Sequence, residues 1–94
     1  MGGWVYIMAS RKGGTLYTGV TNNIARRTFE HRDSVLPGFT ARYGVIRLVW
    51  YRRFDSIVQA IEEEKRIKKW RRGWKIELIK RENPEWKDLY PLLF

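Results

Sequence analysis

Trp4-Val5-Tyr6-Ile7-Met8, Ser10-Arg11-Lys12-Gly13-Gly14 and Leu16-Tyr17-Thr18-Gly19-Val20 are two β-branched and aromatic runs joined by a polar, glycine-rich stretch of turn length. That order reads as a β-hairpin. Pairing Tyr6 with Tyr17 leaves Ala9 to Gly14 as the loop and puts both phenols on one face of the sheet. Thr21, Asn22 and Asn23 then supply cap-type side chains, so a helix is expected to begin at Ile24. It should run through Arg32 or Asp33 and stop before Pro37-Gly38. Val45 to Tyr51 is mostly β-branched or aromatic and predicts a third strand. Asp55-Ser56 opens a second helix, with Ser56 and Gln59 spaced as a capping box. This helix should continue to about Trp70 and break near Gly73. Trp74 to Arg81 predicts a third helix ended by Asn83-Pro84, with one last turn over Glu85 to Tyr90. The order ββαβαα describes an α+β domain, a small antiparallel sheet with helices packed against it.

Ninety-four residues suit one core and one domain, 1–94. Nineteen Lys and Arg against ten Asp and Glu give a net charge of +9. So large an excess favours a polyanionic partner: DNA, RNA or an anionic membrane surface. The absence of cysteine excludes disulfides and Cys-based zinc sites. Met1-Gly2-Gly3-Trp4 lacks the basic start and long apolar run of a signal peptide, and no segment approaches a membrane span. A cytoplasmic protein is the expectation.

Glu64 is informative by position. On a helix of 100° per residue, Ile57, Ala60, Ile61 and Ile67 define one face, with Glu64 in the middle and Glu62 and Glu63 pointing away. A carboxylate on an inward stripe is costly unless it is paired, protonated or bound to a cation. It either forms a salt bridge at a wet rim or serves Mg²⁺, which takes one or two carboxylates plus water and phosphate oxygens.

On the first helix, Ile24, Thr28 and Val35 mark the inner direction, and Arg27 and His31 lie within about 60° of it. Arg26 points to solvent. Arg27 and His31 are spaced so that their heads can share one site, where a guanidinium could clamp a phosphate. A surface or satisfied core imidazole is the plain alternative for His31. Tyr6 and Tyr17 are either packing or chemistry; a phenol acts as a base only where neighbouring cations lower its pKa. Lys65 to Arg81 is strongly basic, Lys68 and Lys69 included, and contains Trp70 and Trp74. Those indoles either stack on unpaired bases or belong to the core. Thr40, Arg42 and Tyr43 lie in a loop beside the proposed site and are candidate nucleic-acid contacts.

Val5-Tyr6-Ile7, Tyr17-Thr18-Gly19 and Asn23-Ile24-Ala25-Arg26-Arg27 with His31 resemble, in order, the signature of the GIY-YIG endonucleases. Ala60 to Glu64 with Ile67-Lys68-Lys69 resembles their metal-binding helix, and Asn83-Pro84-Glu85-Trp86 the tail of the small bacterial members. The likeness extends over nearly the whole chain, toward the nuclease domain of the bacterial excision-repair endonuclease and certain homing endonucleases. It implies a three-stranded antiparallel sheet flanked by helices and metal-dependent hydrolysis of DNA phosphodiesters. Carried over by position, Tyr17 is the general base, Tyr6 helps to position it, and Arg27 stabilises the phosphate. His31 lies near the phosphate, and Glu64 holds one Mg²⁺ or Mn²⁺. Thr18 replaces an apolar residue of the pattern, and Val20 stands where repair-type members often carry lysine. No tightly bound organic cofactor is implied, and whether a partner protein supplies targeting stays open on sequence.

Two functions stay open on sequence: a DNA endonuclease acting on branched, flapped or damaged structures, with RNA as the other candidate substrate, and a nucleic-acid-binding module of the same fold with little catalytic power. A membrane adaptor is disfavoured, because no helix joins a wide bulky apolar face to a basic one.

Overall fold

The computed structural model describes residues 2–33 and 43–94. The two aromatic runs form β1 (Gly3–Ala9) and β2 (Leu16–Thr21). They pair antiparallel with Tyr6 opposite Gly19 and Met8 opposite Tyr17, so the Tyr6–Tyr17 pairing expected from sequence is corrected by a shift of two. A shift of two keeps every side chain on its own face, and the phenols remain neighbours with ring centroids 6.3 Å apart. The loop accordingly spans 10–15. Ser10 N–H donates to the Thr15 carbonyl and Thr15 N–H to Ser10 Oγ, while Gly13 takes the left-handed turn position at φ 70°.

β3 (Arg47–Phe54) pairs antiparallel with the other edge of β1, giving the order β2-β1-β3. It begins and ends later than its β-branched composition suggests. The ladder follows β1 back to Gly3, which faces Phe54, and so includes the polar Arg52 and Arg53. A bulge between Ile7 and Met8 leaves Val49 without a partner and turns both Val49 and Trp50 into the same core cluster.

α1 (Ile24–Arg32) starts where its cap predicts, with Asn23 Oδ1 accepting from Arg26 N–H at 3.1 Å. α2 (Ile57–Lys68) starts after Ser56, whose hydroxyl accepts from Val58 N–H. That bond goes to the second helical position and Gln59 is exposed, so the expected capping box is replaced by a simple cap. α2 stops short of Trp70, and α3 (Arg72–Glu82) includes Gly73 in its first turn, so the break falls earlier than Gly73. Asn83 ends α3 as expected, and the last turn is a 3₁₀ segment at Tyr90–Leu93 rather than over 85–90.

The sheet is packed on both faces. Val5, Ile7, Ala9, Val49 and Trp50 meet Ala60 and Ile67 of α2, Leu78 and Ile79 of α3, and Trp86. Tyr6, Met8 and Leu48 meet Ile24 of α1 and Val45, with Leu89 and Leu93 of the C-terminal segment against them. This is the α+β architecture read from the sequence. The inward stripe of α2 is Ala60, Glu64 and Ile67, whereas Ile61 is exposed, being too far round the helix to reach the sheet.

Candidate active site

Tyr6 is the centre of the site. Its ring lies across Gly19 so closely that a Cβ there would sit 2.5 Å from both Cζ and the hydroxyl oxygen, which is why the strand carries a glycine at this point. The hydroxyl is 2.9 Å from His31 Nε2. The Tyr17 ring packs 5.3 Å from the imidazole, so two phenols from the hairpin and the imidazole from α1 form one aromatic group. Burial is the main cause that drives the Tyr6 pKa up, and Tyr17, Glu64 and Glu30 add to it while Arg27 opposes it. Burial, then the Arg27 charge, lowers the His31 pKa against the opposing pull of Glu30. A phenol that keeps its proton thus faces a neutral imidazole, and the hydroxyl can donate to Nε2.

Arg27 projects from α1 with its side chain 39% exposed and its Nε 3.4 Å from Glu30 Oε1. Glu30 also draws Arg26 at 3.6 Å and is a site residue that the sequence reading missed. Its signal was its place one turn after both arginines. Arg26 itself points to solvent, as expected.

Glu64 is 8% exposed, on the helix that packs against the opposite face of the sheet, and its charge still acts on the Tyr6 phenol. The structure thus brings Tyr6, Tyr17 and His31 into contact, with Arg27 one turn before His31 on α1, while Glu64 comes from the other helical layer, paired with Lys68. Lys68 Nζ lies 2.8 Å from Glu64 Oε2. Glu63 does not point away as expected: it is half-buried and grips Arg66 with both oxygens, at 2.7 and 2.6 Å, which lowers its pKa. Thr18 Oγ1 is buried and finds no hydrogen-bond partner among the described residues.

Of the candidate nucleic-acid contacts, Tyr43, Lys68 and Lys69 are exposed, and Thr40 and Arg42 lie outside the described residues. The two indoles divide. Trp70 packs partly against the core beneath the Arg66 guanidinium, whereas Trp74 is 58% exposed and meets Trp70 edge-on at 6.0 Å. Arg72 donates to the Gly13 and Gly14 carbonyls and ties the hairpin loop to α3, a link no local spacing announces.

Among the described residues no three His, Asp or Glu side chains group as a metal cage. Glu64 is a single hard donor with an ammonium already standing where a cation would bind. One carboxylate suits a largely hydrated hard cation such as Mg²⁺ or Mn²⁺ completed by substrate phosphate, and does not suit a closed zinc cage. Among the described residues no helix is long and apolar enough to cross a membrane.

The family model described as the GIY-YIG catalytic domain matches residues 2–77. A UPF0213 protein of Clostridium perfringens is 36% identical over 76 residues, covering 81% of each chain. A UPF0213 protein of Syntrophus aciditrophicus is 37% identical over 83 residues, covering 87% of this chain and 93% of its own. The solution NMR structure of a UPF0213 protein from Bacillus halodurans matches with a TM-score of 0.58 and 30% identity, over 94% of this chain and 93% of that one. The matched span runs from the hairpin through Glu64 into α3, so the chain belongs to the GIY-YIG family, among the small UPF0213 proteins.

Proposed function

We propose that this protein is a divalent-metal-dependent endonuclease that hydrolyses DNA phosphodiesters, with a role at branched, flapped or damaged structures. The observation that carries the reading is the hydrogen bond between the Tyr6 phenol and His31, with the Tyr17 ring packed on both and Arg27 one turn before His31 on α1. In this reading Tyr17, at the partly exposed edge of the aromatic group, takes the proton from the attacking water. Tyr6 holds its own proton and, with His31, fixes the ring against which Tyr17 is set. Arg27 reaches the phosphate through parallel N–H donors and stabilises the charge that grows there. Glu64 would hold Mg²⁺ or Mn²⁺, which when bound supplies positive charge beside the leaving-group oxygen.

One observation favours the other reading, a binding module with little catalytic power. Val20 packs against the core, so no cation comes from that position to the phenols. Incubation of labelled duplex, flap, junction and single-stranded DNA with Mg²⁺, with and without chelator, separates the two. The endonuclease reading predicts metal-dependent nicks that the Arg27→Ala variant loses by about a hundredfold or more. Uncut substrate throughout, with binding retained, would support the module instead.

A further inference from the structure

The proposed metal ligand is already paired with a cation of the chain's own. Lys68 lies one turn along α2 from Glu64, and the two side chains differ in freedom: Glu64 is 10% exposed and Lys68 50%. The carboxylate is fixed and largely dry, while the ammonium sits on a flexible stem in water. Beyond it stands Lys75, half-buried, with the positive charges of Lys68 and Arg72 acting on it. Among the described residues no carboxylate lies within ion-pair distance of Lys75. Arg72 in turn donates to the Gly13 and Gly14 carbonyls at 2.8 and 2.6 Å. Lys68 is thus paired with Glu64 while Arg72 holds the hairpin loop, where Arg11 and Lys12 are exposed, and Lys75 lies under the charges of both. Among the described residues Glu64 is the one carboxylate within ion-pair distance of Lys68, Lys75 or Arg72.

On the nuclease reading given above, we propose that Lys68 is the resident counter-ion of Glu64, released when a divalent cation binds there and then shared with Lys75 and Arg72 by the phosphodiester backbone. A buried carboxylate left bare is costly, so Lys68 keeps Glu64 paired in the free protein and holds its metal affinity down. A strand of phosphates offers the released ammonium a new partner. Cation and strand then each raise the affinity for the other by the same factor, as linkage requires.

The test is an NMR titration of the full chain with Mg²⁺ alone, comparing wild type, Lys68→Met, Lys68→Arg and Glu64→Gln. Lys68→Met should bind Mg²⁺ about fivefold more tightly, the size of one part-exposed ion pair. Lys68→Arg should stay near wild type, and Glu64→Gln should lose the site. In parallel, anisotropy of a labelled flap DNA should show Ca²⁺ tightening wild-type binding about fivefold and leaving Lys68→Met unaffected. Unchanged or weaker Mg²⁺ binding by Lys68→Met, with binding lost in Glu64→Gln, overturns the counter-ion role and leaves the nuclease reading standing. Wild-type Mg²⁺ binding by Glu64→Gln overturns both.

Discussion

Tyr6 and His31 show how burial, rather than residue type, assigns protonation at this site. Both are nearly inaccessible, and their hydrogen bond joins two neutral groups. The consequence for stability has a definite sign. The folded His31 pKa lies below the ordinary imidazole value of 6.5, so the unfolded chain binds its proton first as pH falls. The stability from neutral His31 is complete above that value and is lost on descending through it toward the lower folded pKa. Thermal melts at pH 7.5 and 5.5, a window above the carboxylates, should show a fall for wild type that His31→Gln largely removes. An equal fall in both would mean that His31 is not the group responsible. Tyr6, Tyr17, Arg27 and His31 were legible as candidates from their places on two strands and one helix, and their proposed roles came only with the family resemblance. Gly19 was not legible as a site residue, and Lys68 was read as a candidate nucleic-acid contact but not as the partner of Glu64. Their roles, the space under a ring and an ion pair over a carboxylate, arise only once β1 lies on β2 and Glu64 turns inward.

At the scale of elements, the hairpin carries both the phenols and a flaw. Tyr17 faces the site, so Thr18 faces the other way, into the packing of α2 on the sheet, with its hydroxyl buried and, among the described residues, unpartnered. Thr18→Val keeps the shape and removes an unsatisfied polar atom, which should add about 1 kcal/mol and raise the melting temperature by roughly 4–8 °C. A lower melting temperature would show that the hydroxyl has a partner after all. Among the described residues, the strands and the two helices that carry Arg27, His31 and Glu64 were legible, since each has a side-chain cap at its start or a run of β-branched and aromatic residues. Boundaries were less legible where pairing overrode composition. β3 extends through Arg52 and Arg53 because β1 is there to pair with it, and α3 takes in Gly73 because the chain already turns before it. The hairpin register was misread for a similar reason: the choice between two loops of the same length rests on Ser10 closing onto Thr15, not on which aromatic residues face each other.

For the molecule as a whole, two helical layers meet across a thin sheet, and the candidate site draws on both. α1 brings Arg27 and His31 to one face, and α2 brings Glu64 from the other. The net charge of +9 suits the molecule to a polyanion, yet charge alone would serve a binding module equally well. What separates an enzyme from a basic scaffold is whether the buried carboxylate of α2 takes part in the chemistry. Single-turnover cleavage of DNA in Mg²⁺ by wild type and Glu64→Gln, both checked for folding and strand binding, decides it. Glu64→Gln is expected to bind DNA at least as well and to cleave about a thousandfold more slowly. Cleavage by Glu64→Gln within a factor of about two of wild type would contradict it.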